Sequence, residues 1–207
     1  MPVLPSPSWK LLGALLLLSV VPVAAGAVRL LQLLAGDVAS SENARFMSMP
    51  GAVLVHILAA ALFCVLGAFQ FDAALRQRFP RLHGFSGRVV AASGLLAALS
   101  GLWLTARLPI PAAQQGPLLY TARMLVGLGM TWSIVVAVRA VLLGSIPQHQ
   151  AWMIRAYALG QGAGTQVLIL LPVALVAGAP TLFLRDLLLT TAWAVNAALA
   201  EWLIRRR

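Results

Sequence analysis

Two short polar knots hold many of the side chains that could do chemistry in this 207-residue chain. The first, Gln70 to Arg88, contains Asp72, Arg76, Arg78, Arg81, His83 and Arg88; the second, Gln148 to Arg155, contains His149 and Arg155. Arginine offers a rigid fork of donors, and a neutral imidazole offers one donor and one acceptor. Together they could hold a small ligand; the plainer reading is that the arginines, with Trp152 and Trp202, anchor the bundle at the membrane interface. Two imidazoles at one level on facing helices could also ligate a haem iron. His83 and His149 share a level, but both sit in or beside loops at the membrane edge, and His56 has no histidine partner at its own level.

A further layer is formed by Arg29, His56 and Arg123. His56 follows Gly51 by five residues and Arg123 follows Pro117 by six. At about 1.5 Å of rise per residue, these reach a similar depth to Arg29 at the far end of the first apolar run. Only Asp186 lies near that level, so a quinone or lipid headgroup fits the layer. The plainer reading is that the arginines snorkel outward and His56 bonds a backbone carbonyl. Glu201 is the natural partner for Arg88 or Arg155, and Asp72 stands one helical turn before Arg76. Arg88 and Arg155 are therefore expected to converge on Asp72 and Glu201, with His83 and His149 at the rim.

Other chemistries find little support. Three scattered histidines and one cysteine, Cys64, give no recognisable ligand set, so no metal is expected. There is no Ser-His-Asp set and no carboxylate pair, which leaves catalytic residues unassigned. Gly160 to Gly164 lacks the length and preceding strand of a phosphate loop and reads as a helix-packing contact.

What must position these groups is a membrane bundle. The chain is 61% apolar and only 10% charged, with a mean hydropathy of +0.91. Apolar runs near the roughly 20 residues needed to cross hydrocarbon recur throughout. They are Leu11–Leu34, Gly51–Phe71, Val89–Ala106, Pro117–Leu143, Ala151–Val176 and Leu187–Ile204. This predicts an all-α bundle of six spans forming one domain over residues 1–207. Asp37–Pro50 reads as a loop, Pro80 and Gly84 as helix breakers, and Pro172 as a kink. The pairs Ser86-Gly87, Ser93-Gly94 and Ser100-Gly101 recur every seven residues, a small-residue strip for close helix approach. Ala24 to Ala27 resembles a cleavage region, but the apolar run continues beyond it, so a retained first helix is expected.

The net charge of +10 is divided unevenly. With the N-terminus inside, ten basic residues fall on the inner side and five on the outer, which predicts both termini inside. Basic residues gathered into short loops in this way exclude a nucleic-acid role. The partners expected are the lipid bilayer and a small hydrophobic or anionic ligand, with the oligomeric state left open.

The pattern His56, Leu66-Gly67-Ala68-Phe69-Gln70-Phe71, Leu75-Arg76, Pro80-Arg81-Leu82-His83 and Gly87-Arg88 resembles a family of bacterial multi-pass membrane proteins. That family is domain of unknown function 2306. His149, Trp152-Met153-Ile154-Arg155, Tyr157-Ala158-Leu159, Asn196 and Glu201-Trp202 continue the resemblance, which spans about Leu54 to Ile204. Gly84 and Gln150 stand where the family usually has a basic residue, and Thr165 and Gln166 where it often has an arginine. The resemblance implies a helical membrane fold in the bacterial inner membrane and brings no activity. Two function classes remain: a redox or small-ligand protein using quinone or haem, and a non-enzymatic transporter or partner of another membrane protein.

Overall fold

The computed structural model describes residues 8–36 and 44–206. The head before Ser8, the first half of the expected Asp37–Pro50 loop and Arg207 lie outside them. Among the described residues the chain is helical: α1 Trp9–Ala35, α2 Ala44–Met47, α3 Pro50–Gln70, α4 Ala73–Arg78, α5 Pro80–Arg107, α6 Pro117–Leu142, α7 Ile146–Gly160, α8 Gly162–Ala177 and α9 Leu182–Arg205. Six segments are long and apolar enough to cross a membrane, α7 and α8 together making the fifth. The start of α1, α4, the α6–α7 turn and the end of α9 share one face, here called the α4 face. The opposite face carries α2 and the α5–α6 and α8–α9 connections.

Several helix starts differ from the sequence expectation. Pro80 does not break a helix but begins α5, nine residues before the expected third span. Pro147 likewise sits in the first turn of α7, which starts five residues before the expected fifth span, while Pro117 begins α6 as expected. There the missing N–H costs nothing and the fixed φ already suits the helix. Gly84 stays helical, a tolerable loss of about 1 kcal/mol. As a result His83 and His149 are each the fourth residue of a helix.

The interior is built from small residues and the perimeter from large apolar ones. Ala59, Ala68, Ala97, Ala98, Ala137, Ala156 and Ala192 are buried, while Leu17, Leu125, Trp132, Leu168 and Val176 face outward. Lipid offers helices no hydrophobic drive to associate, so close backbone approach and dispersion must hold them together. The strip on α5 does this against α3. A Cβ at Gly94 would stand 2.6 Å from Phe63, and one at Gly101 3.2 Å from His56. Gly162 and Gly164 lie so close to the Trp193 indole and the Leu18 carbonyl that a Cβ would collide with either. The Gly160–Gly164 run is thus a packing contact.

The fifth span breaks at Gln161, and Pro172 lies inside α8. The buried Gln161 amide donates to Ser19 Oγ at 3.0 Å and to Tyr157 Oη at 2.7 Å, tying the break to α1. Asn196 ties it to α9, accepting from Thr165 at 2.9 Å and donating to the Ala158 carbonyl at 2.9 Å.

Candidate functional site

Helices α3, α5, α6 and α7 pack in a ring, with α5 and α7 on one diagonal and α3 and α6 on the other. Two cavities lie in this ring, one toward each face, and share no lining residue.

The cavity at the α4 face, about 680 Å³, brings His83 and Arg88 of α5 together with His149 and Gln150 of α7. Arg76 of α4 and Gln70 of α3 also line it, and the deeper wall is Val90, Val138, Met153 and Tyr157. His149 Nδ1 lies 3.0 Å from the Ala137 carbonyl. A carbonyl can only accept, so Nδ1 carries the proton, and in the neutral ring Nε2 keeps its lone pair. His83 is within electrostatic reach of His149 and Arg76. No Asp or Glu among the described residues lines this cavity.

The expected convergence of Arg88 and Arg155 on two acids is half correct. Arg155 and Glu201 form a two-pronged ion pair, Nε to Oε1 at 2.6 Å and Nη2 to Oε2 at 2.9 Å. The Trp152 ring lies 4.5 Å from the guanidinium. Arg88 faces the cavity instead. Asp72 pairs with neither Arg76 nor Arg88: its carboxylate accepts the N–H of Leu75 at 2.9 Å and the N–H of Ser8 at 2.9 Å. It thereby caps α4 and anchors the start of α1, and these bonds hold its pKa below the ordinary carboxylate value. Backbone N–H groups at a helix start outcompete a flexible guanidinium for this acid.

The cavity at the α2 face, about 410 Å³, contains His56 and Arg123, as their common depth required. His56 Nδ1 lies 3.1 Å from the Ala97 carbonyl and 3.1 Å from Ser100 Oγ, the backbone bond expected of it. Arg29 does not line the cavity; its guanidinium lies 4.0 Å from the centre of the Phe46 ring. Arg45 and Arg185 do line it, and the sequence did not single them out. Arg45 bonds the Gln114 side chain, Arg123 that of Gln115, and Arg185 the Gln114 carbonyl. Burial, and then the charges of Arg29 and Arg185, lower the Arg45 pKa from its ordinary value. Asp186 is buried, accepting from the N–H groups of Gly116 at 3.3 Å and Leu119 at 3.0 Å at the start of α6. Its position one residue after Arg185 was the available clue that both would reach this level.

No group of three or more His, Cys, Asp or Glu suited to hold a metal ion occurs among the described residues. Cys64 is an unpaired thiol beside the Gly160 carbonyl. No curated protein and no solved structure matches the chain. One family model does, over residues 53–204, almost the stretch that carries the resemblance in the sequence. With its spans, its two knots and this match over most of its length, the chain belongs to the family described as "Predicted membrane protein (DUF2306)".

Proposed function

We propose that the chain is a ligand-binding membrane protein whose α4-face cavity takes an amphiphile with an apolar body and an anionic or carbonyl-bearing head. A quinone or a haem is the redox-active form of such a ligand. The observation that carries this reading is the gathering of His83, His149, Arg76 and Arg88 around one cavity with no lining acid among the described residues. Positive groups near hydrocarbon are costly without counter-charge, and an acidic or carbonyl head would relieve that cost. The starts of α5 and α7 add their partial positive charge. The apolar wall and a volume of about 680 Å³ suit a ligand body. The ten-to-five division of basic residues supports placing the α4 face in the cytoplasm of a bacterial cell, with the bundle in its inner membrane.

The test is thermal unfolding of the purified chain with phosphatidylglycerol, a short-chain ubiquinone or hemin, each compared with phosphatidylcholine. A ligand at about a hundred times its dissociation constant stabilises by about 2.7 kcal/mol. At least one of the three should therefore raise the melting temperature by several degrees, and Arg88→Gln should reduce the shift. Equal melting in all four additives ends the proposal.

Two cavities on opposite sides of one helix ring favour transport as the second reading. Counterflow of the stabilising ligand in proteoliposomes would support it, and ligand binding without counterflow would reject it.

A further inference from the structure

We propose that His83 and His149 are the two axial ligands of a single b-type haem held in the α4-face cavity. This rests on the ligand reading above and names the ligand. The two imidazoles come from α5 and α7, which stand on a diagonal of the helix ring and so approach the cavity from opposite sides. Each is the fourth residue of a helix that starts at the α4 face, and both line the one cavity. The fixed Nδ1–H of His149 presents Nε2 as its ligating nitrogen, and a carbonyl partner on the other nitrogen is the usual second shell of a metal-bound histidine.

The remaining walls suit a flat macrocycle. Gly84 lines the cavity with open space where its side chain would stand, while Gly67 and Gly87 let Tyr157 and Gln70 of the cavity wall pack close. Arg76 and Arg88 provide two guanidiniums for two propionates, with no lining acid among the described residues to oppose them. A two-ligand cofactor also needs no third metal-ligating side chain. His56, beside Arg123 at the other face, has no second imidazole in its cavity, so one haem per chain is inferred.

The experiment uses the full chain purified in detergent and titrated with hemin, followed by absorption spectra before and after dithionite and by haem quantitation. One haem per chain with a six-coordinate, low-spin spectrum is expected. His83→Gly and His149→Gly should each lose that spectrum, and millimolar imidazole should restore it. Independently of whether either variant folds, near-infrared magnetic circular dichroism of the wild-type complex gives a reading of ligation. A band typical of two imidazoles supports the assignment; any other ligand pair overturns it. Wild type that binds no stoichiometric hemin overturns it as well, as does an unchanged spectrum in the double variant. If hemin fails while another acidic or carbonyl-bearing amphiphile still shifts melting through Arg88, the haem assignment falls and the ligand reading stands. If both fail, both fall.

Discussion

Gly94 of α5 lies directly against the ring of Phe63 of α3, so close that a Cβ would stand 2.6 Å from two of its carbons and 2.8 Å from Ile134 Cδ1. One heptad away in each direction, Gly87 meets Gln70 and Gly101 meets His56. The two helices thus run antiparallel in a seven-residue register, a small residue on one opposite a larger one on the other.

Gly94→Ala should overpack this contact at a cost of about 1–3 kcal/mol, and Gly94→Leu with Gly101→Leu should prevent a well-behaved protein. Gly51→Ala, where a Cβ meets nothing within 4 Å, is the control. Melting in detergent and size-exclusion profiles read the outcome. If Gly94→Ala melts with Gly51→Ala, the strip is not a constraint on the fold.

The Arg155–Glu201 pair is part-exposed, its side chains 27% and 41% accessible, so its coupling should be near about 0.5–1 kcal/mol. A double-mutant cycle of Glu201→Gln with Arg155→Gln should return that value. The same cycle with Arg88→Gln should be additive, since Arg88 faces the cavity. Coupling to Arg88 as large as to Arg155 would contradict the geometry.

Asp72 should make stability depend on acid pH. The Leu75 and Ser8 N–H groups depress its folded-state pKa, so its contribution is complete above the unfolded value of about 3.9 and is lost as pH falls toward the folded one. Asp72→Ala should cost about 1 kcal/mol at pH 6. The gap in melting temperature from wild type should narrow from about pH 4 downward. A gap independent of pH would rule the carboxylate out as its source.

If the α4 face is cytoplasmic, alkaline phosphatase fused after Arg207 should be inactive in a bacterial host. A fusion after Gln114 should be active, because the α5–α6 connection lies on the other face. An active C-terminal fusion reverses the proposed orientation.

The spans were legible because apolar length leaves few alternatives in 207 residues. The Arg155–Glu201 pair was legible because acids are few, five in all. Helix starts were harder: Pro80 reads as a breaker and Pro147 falls before the expected fifth span, yet at a first turn the same ring begins a helix. That error moved His83 and His149 into loop margins. Counting residues along a span gave the depth of His56, Arg29 and Arg123 but not the direction each faces. Depth alone could not show that Arg29 turns to Phe46 while Arg45 and Arg185 join the cavity. The break at Gln161 was hidden because it depends on partners in α1 and α9.

Phe63 lines the α2-face cavity and Tyr157 the α4-face cavity, their rings 5.6 Å apart, and with Ile134 they form a buried layer, 1%, 4% and 0% exposed. A membrane voltage falls mainly across the least polarisable material in its path, which makes this layer the insulator of the molecule. Passage of a charge from one cavity to the other through the Phe63–Tyr157 layer would do work against the voltage, up to about 2.3 kcal/mol per elementary charge per 100 mV.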